Sequence, residues 1–256
     1  MERTRQVKPI IELNQIGKTF VSNNTSLEVL RDLSLTVYEN EFVVLLGPGQ
    51  CGKTTLMNII AGIEPATTGE VRFQNEKITK PNPKLGMVYQ TTGLFPWFSV
   101  MKNVEFGPRM QHIPKEERRK KAQYFIDLVG LTGFEKAYPI KLSGGMRQRV
   151  GIARAYCNDP KVLLMDEPFG HLDAQTRYSM QAAVEDIWSK EKRTVIFVTN
   201  NIEEAVYLAD RVVLLTNCPT NVKREITVDL PRPRDYVSKG FLNLRKEISS
   251  IFDITK

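Results

Sequence analysis

Phe42-Val-Val-Leu-Leu-Gly-Pro-Gly-Gln-Cys-Gly-Lys-Thr54 opens as an unbroken apolar run and closes as a Gly-x-x-x-x-Gly-Lys-Thr loop, directly ahead of a helical stretch over residues 53–61. A short apolar run bounded by glycine reads as a strand buried on both faces, the kind found at the centre of a parallel sheet. Strand, glycine-rich loop and helix, in that order, are what a phosphate-binding loop requires. Backbone N–H groups of the loop and of the helix start can surround phosphate oxygens. Gly47, Pro48, Gly49, Gln50, Cys51, Gly52, Lys53, Thr54 and Thr55 therefore form the candidate binding segment. Lys53 can reach terminal phosphates, the Thr54 hydroxyl can ligate Mg²⁺, and Gly52 permits close backbone approach. Gly47, Gly49 and Gly52 also satisfy Gly-x-Gly-x-x-Gly, which keeps a dinucleotide reading open at this point. The adjoining Lys53-Thr54 and an acidic pair further along favour a nucleoside triphosphate.

That pair ends a second apolar run, Val162-Leu-Leu-Met-Asp-Glu167, and so stands at the carboxyl edge of a parallel sheet, where ligands bind. Asp166 can hold Mg²⁺ through coordinated water, and Glu167 can polarise a water attacking the γ-phosphate. A third run covers residues 195–198, and helical stretches over 53–61, 174–190 and 202–209 alternate with the runs. The alternation implies right-handed βα units, and hence an α/β class. Leu30, Leu33, Leu35 and Val37 suggest a half-buried antiparallel strand instead. Residues 98–150 lack strand-like runs and read as several helices interrupted at Pro108, Pro114, Gly130, Gly133 and Pro139. One of these starts after Pro114, carries Glu117 and Lys121 at helix-pair spacing, buries Ala122, Phe125, Ile126 and Val129, and ends at Gly130. A strand over 223–230, then Pro231-Arg-Pro-Arg234, then an amphipathic helix through Phe241, Leu244, Ile248 and Ile251 complete the chain.

Composition narrows the setting. The chain has 256 residues, of which 41% are apolar and 25% charged, ordinary for a globular protein of one or two domains. No apolar run approaches the ~20 residues that span a bilayer. The charged opening, Met-Glu-Arg-Thr-Arg-Gln-Val-Lys-Pro9, lacks the apolar stretch of a secretory signal, which points to the cytoplasm. Cys51, Cys157 and Cys218 lack metal-ligand spacing and read as reduced thiols. A net charge of +7, spread along the chain, is read as a solvated surface, with no nucleic-acid partner expected.

Leu142-Ser-Gly-Gly-Met-Arg-Gln-Arg149 resembles the Leu-Ser-Gly-Gly-Gln signature of ATP-binding cassette proteins, with Met146 where glutamine is commonest. In physical terms Ser143 offers a hydroxyl, Gly144 and Gly145 let N–H groups approach an anion, and the following helix points its positive end there. The resemblance covers nearly the whole chain with its motifs in family order. It implies a P-loop NTPase parallel-sheet core with an antiparallel β subdomain and an inserted α-helical subdomain. The corresponding division is a nucleotide-binding core over 1–97 and 151–230, a helical signature subdomain over 98–150 and a helical tail over 231–256. It further implies that Phe20 stacks on adenine, that Gln90 senses Mg²⁺ and contacts a permease, and that ATP joins two cassettes head to tail as a homodimer or with a related chain. In that sandwich Ser143 and Gly145 complete the partner's site, and the loop containing His171 and Asp173 crosses the interface.

Two departures from the family pattern bear on chemistry. Asn200, in Val198-Thr-Asn-Asn201, stands where the family usually places a histidine on the γ-phosphate. Asparagine donates a hydrogen bond but carries no charge, so tight ATP binding with slow hydrolysis is expected. Gly49-Gln50 replaces the common Ser-Gly, and Gln50 is expected to need a backbone geometry easier for glycine, with Gly49 beside it lending flexibility. Gly93-Leu-Phe-Pro-Trp97, Asp173-Ala-Gln-Thr176, Ile202-Glu-Glu-Ala205 and Leu230-Pro-Arg-Pro-Arg234 resemble ATPases of the nitrate, sulfonate, taurine and bicarbonate importers. That likeness implies a peripheral protein on the cytoplasmic face of the membrane, a permease docked near residues 90–97 through Leu94, Phe95 and Trp97, and indirect work with a solute-binding protein. A degenerate regulatory subunit paired with an active partner is the alternative.

Overall fold

Two long strands, β1 (Pro9–Ser22) and β2 (Thr25–Tyr38), pair antiparallel at the start of the structure, a computed structural model that describes residues 8–22 and 25–253. The chain continues through β3 (Phe42–Leu46), α1 (Lys53–Ile60), β4 (Thr68–Phe73), β5 (Glu76–Lys77) and β6 (Leu85–Val88). Helices α2 (Val100–Val104), α3 (Phe106–Met110), α4 (Lys115–Leu128) and α5 (Gly144–Cys157) follow, then β7 (Val162–Asp166) and α6 (Ala174–Glu191). The last elements are β8 (Thr194–Thr199), α7 (Ile202–Leu208), β9 (Arg211–Leu215), β10 (Val222–Thr227) and α8 (Lys239–Asp253). They fall into two compact units, one of residues 1–82 with 194–256 and one of residues 83–193. The charged opening, residues 1–7, on which the reading of an absent signal mostly rests, lies outside the described residues.

The first unit holds an antiparallel sheet, ordered β2-β1-β4-β5, and a second set of strands in which β3 lies parallel between β8 and β9, with β10 antiparallel to β9. Val44 is the register point, opposite Phe197 on one side and Val212 on the other. Every side chain of β3 and β8 is buried, which is why both read as continuous apolar runs. In β2 the four expected apolar residues are buried, and the odd step from Leu30 to Leu33 is absorbed where the register shifts and Asp32 turns left-handed at φ 48°. β1 was not anticipated, because a similar break at Gln15, φ 50°, spoils its alternation. β10 ends at Thr227 rather than at residue 230, ahead of prolines that have no N–H for a ladder.

The second unit pairs β6 and β7 in parallel and packs α5 against β6. α4 starts after Pro114, and left-handed Gly130, φ 70°, follows its end as expected. Its Glu117–Lys121 spacing yields no ion pair among the described residues; Arg118 instead meets Glu105 at 3.0 Å. No helix among the described residues is long and apolar enough to cross a membrane. All three cysteines are free thiols, with Cys51 and Cys157 buried and Cys218 exposed.

Candidate functional site

In the first unit the phosphate loop leaves β3 and enters α1 through two left-handed residues, Gln50 at φ 60° and Gly52 at φ 100°. A Cβ on Gly52 would sit 2.5 Å from Val29 Cγ1, so this position needs glycine for room as well as for conformation. Gln50 does adopt the geometry that glycine takes more easily, at a cost of about 1–2 kcal/mol. Gly49 is not left-handed and has open space around it, so the turn is made at Gln50 itself rather than relieved by its neighbour. The carbonyl of Cys51 accepts from the Thr220 hydroxyl, and Thr220 is fully buried. Burial pushes the Cys51 thiol above its usual range, against the lowering charge of Lys53.

Lys53 is buried, and its Nζ donates to the carbonyls of Gly47 at 3.1 Å and Pro48 at 2.6 Å. The ammonium is thus held over the loop by groups that a phosphate can replace. α1 has no side-chain cap and no acidic residue in its first turn, which leaves its first N–H groups and the positive end of its dipole to an anion. Thr54 is exposed and Thr55 half-buried beside them.

Gly47 donates its backbone N–H to the carbonyl of Thr199 at 3.3 Å, which ties the loop to the end of β8. Asn200 follows, exposed. Its neighbours consume the local hydrogen bonds. Thr199 Oγ1 donates to Glu204 Oε2 at 2.6 Å and accepts from Asn201 N at 3.0 Å, and Asn201 Oδ1 accepts from the N–H groups of Glu203 and Glu204 at 2.8 and 3.2 Å. The Asn200 amide is left out of this network. Phe20, on β1, is 42% exposed, and Lys18 Nζ lies 4.7 Å from its ring centroid, held by Glu64 and the Pro65 carbonyl. The ring is thus part-exposed beside a held ammonium.

In the second unit β7 delivers Asp166, 4% exposed, and the chain turns left-handed at Glu167, φ 41°. A Cβ built on Gly170 would lie 3.2 Å from Gln90 Nε2 and 3.9 Å from Glu167 Oε2. Glycine at 170 therefore brings the Gln90 amide and the Glu167 carboxylate around one small space. Ser143 caps α5, its Oγ accepting from Met146 N at 3.2 Å, and Asp173 caps α6 through Thr176 N at 3.0 Å. That bond holds the Asp173 carboxyl below the usual range. Gly144 is open to solvent, whereas Gly145 is buried, where a Cβ would meet Thr176 Cγ2 at 2.6 Å. His171 is exposed.

Beyond Gln90 the chain builds an aromatic platform of Phe95, Phe98 and Phe106, with Phe95 and Phe106 centroids 4.6 Å apart. Asn103, fully buried, accepts from Phe95 N at 2.9 Å and donates to the carbonyls of Phe95, Phe98 and Ser99. Arg154 donates to the carbonyls of Thr92 and Gly93. Trp97 stands on this platform 66% exposed, while Leu94 and Phe95 are half-buried. Thr220, Asn103 and Arg154 escaped the sequence reading, and Gly170 entered it only as part of the interface loop, because each acts through a contact that no local pattern announces.

The ABC transporter family matches residues 30–170, from β2 to the glycine beside Gln90 and Glu167, and the chain belongs to that family. It is an α/β P-loop NTPase that binds ATP, an ATPase coupled to transport. Among its relatives, an uncharacterized ABC transporter ATP-binding protein of Methanocaldococcus jannaschii is 48% identical over 98% of this chain and 94% of its own length. The nitrate import ATP-binding protein NrtD of a Synechocystis strain is 40% identical over 93% of this chain and 89% of its own. The aliphatic sulfonates import ATP-binding protein SsuB of Bacillus cereus is 40% identical over 95% of this chain and 96% of its own. A dimeric post-hydrolysis ATP-binding cassette bound to ADP and Pi superposes with a TM-score of 0.75 at 30% identity, covering 87% of this chain and all of that one.

Proposed function

We propose that this chain powers import of a small anionic, sulfonate-like or nitrate-like solute through a membrane permease. The observation that carries the proposal is 40% identity, over nearly full length, to ATPases named for nitrate and for aliphatic sulfonates import. The aromatic platform supports it, since an exposed Trp97 on a hydrogen-bonded base suits an apolar helix of a permease laid across residues 90–97. Uptake of nitrate and of an alkanesulfonate by vesicles containing the reconstituted transporter tests the reading. ATP-dependent uptake of neither solute would overturn it.

In this reading Phe20 stacks on adenine and the segment from Gly47 to Thr55 wraps the phosphates. Lys53 exchanges the carbonyls of Gly47 and Pro48 for phosphate oxygens. Thr54, Gln90 and Asp166 are the oxygen donors this reading assigns to Mg²⁺, few in number, as suits an ion that keeps water and phosphate in its shell. Mg²⁺, when bound, supplies charge against the β- and γ-phosphates. Glu167 polarises the attacking water, and Gln90 beside it orients the approach. Ser143, Gly144, Gly145 and Met146 at the start of α5, with Asp173, serve the site of a second cassette, so that ATP joins two copies or related chains. The helical segment 98–150 acts as the signature subdomain between permease and nucleotide, and the assembly sits on the cytoplasmic face of the membrane.

Asn200 contacts the γ-phosphate as a neutral donor. Loss of a charged contact in the transition state costs on the order of 3 kcal/mol, or about a hundredfold in rate. Binding and dimerisation are retained while hydrolysis is slow. The neutral Asn200 in place of a charged γ-phosphate contact also favours a second reading, a regulatory cassette paired with an active chain, which co-purification of a second, different ATPase would support.

A further inference from the structure

α7 has only seven residues, too short to be stable on its own, so its position is set by what holds its two ends. Its first end is fused to Asn200 through the Asn201 cap and the Thr199–Glu204 hydrogen bond. At the far end the carbonyls of Val206, Tyr207 and Leu208 have no partner within the helix, and two arginines from the chain after β10 take all three. Arg234 Nη1 donates to Val206 O and Tyr207 O, both at 2.9 Å, and Arg232 donates to Leu208 O and to the Asp210 carboxylate. Arg234 is 6% exposed, and its remaining nitrogens reach Val228 O at 3.3 Å and Leu230 O at 3.4 Å. One guanidinium fork thereby joins the end of α7 to the segment after β10, and its charge lies at the negative end of the helix dipole. Tyr236 stacks flat on Tyr207, centroids 4.6 Å apart at 4°, and Arg245 of α8 pairs with Glu203 at 2.7 Å.

We propose that Arg234 is a positioning residue for hydrolysis: by capping α7 it fixes where the turn at Asn200 stands beside Gly47, making the segment from residue 231 onward a working part of that turn rather than an appendage. The proposal rests on the reading of Asn200 as a γ-phosphate contact. Lysine at 234 keeps the charge but cannot fork to four carbonyls, so α7 loosens while the phosphate loop is untouched.

The test uses the full chain and compares wild type, Asn200→Ala, Arg234→Lys and the double variant in steady-state ATP hydrolysis, with amide hydrogen exchange over residues 199–209. Asn200→Ala lowers kcat severalfold. Arg234→Lys lowers kcat roughly fivefold to tenfold with KM for ATP within about twofold, speeds exchange in α7, and adds nothing further in the Asn200→Ala background. Tyr236→Leu removes the stack on Tyr207 and gives the same pattern more weakly; it carries the comparison alone if Arg234→Lys fails to fold. Losses that multiply in the double variant, or a rise in KM matching the fall in kcat, overturn the role of Arg234 while leaving that of Asn200. An Asn200→Ala protein with unchanged kcat overturns the phosphate-contact reading, and this proposal with it.

Discussion

The N–H of Gly47 donates to the carbonyl of Thr199 at 3.3 Å, so the first residue of the phosphate loop and the residue before Asn200 are hydrogen-bonded neighbours at the ends of two parallel strands. Parallel pairing of β3 and β8 carries both strand ends to the same edge of the sheet, the edge at which ligands bind in parallel α/β sheets. In the proposed reading this neighbourhood sets Asn200 at the γ-phosphate, where its lack of charge separates ATP binding from fast hydrolysis.

Thr220 supports that loop from a turn far along the chain. Thr220→Val keeps the shape but leaves the buried Cys51 carbonyl without its donor, a cost of about 1–3 kcal/mol. The expected outcome is a lower urea midpoint with unchanged slope, and weaker ATP affinity in a fluorescent-nucleotide titration.

Glu167→Gln removes the carboxylate to which the proposed function gives the polarising of water, while conserving volume. Hydrolysis falls by about 10²-fold or more, while ATP binding persists. Size-exclusion chromatography with ATP and Mg²⁺ then shows a dimer that outlasts that of the unaltered chain.

Gly170→Ala places a methyl 3.2 Å from Gln90 Nε2, too close for the amide to stay where it is. The side chain that must move is exposed, so stability changes little and the effect falls on turnover. A severalfold loss of kcat with near-normal KM is expected from ATPase kinetics.

Thiol labelling reads out the packing of the loop. Cys157 is fully buried, with its thiol pushed up to about 12 by burial, and Cys51 is buried and raised for the same reason, whereas Cys218 is exposed. Reaction depends on the thiolate and on access. Iodoacetamide at neutral pH therefore modifies Cys218 alone in the folded chain, by peptide mass mapping, and ATP binding survives the modification.

The central strands were legible because burial on both faces leaves no alternative to an apolar run, as in residues 42–46, 162–166 and 195–198. β1 was not, since its backbone breaks pattern at Gln15; β4 buries only Val71 and Phe73 among polar residues, and β5 and β6 are too short to show a pattern. The motifs located the loop between β3 and α1, the acids at the end of β7 and the start of α5. Sequence also located the strain at Gln50 but credited its relief to Gly49, which does not make the turn. What it lacked were partners distant along the chain: Thr220 under Cys51, Gly170 between Gln90 and Glu167, and Arg234 on α7. Such contacts follow from tertiary packing and leave no periodicity behind. Ser143 and Asp173 show the converse, since each caps the helix that starts at the next residue through a contact three positions away.

The most direct measurement is steady-state ATP turnover of the chain assembled with its permease, compared with its Asn200→His variant. Turnover is predicted to be slow in the unaltered chain and to rise roughly tenfold to a hundredfold with histidine, at little change in KM for ATP. Brisk turnover that Asn200→His does not raise would contradict the account.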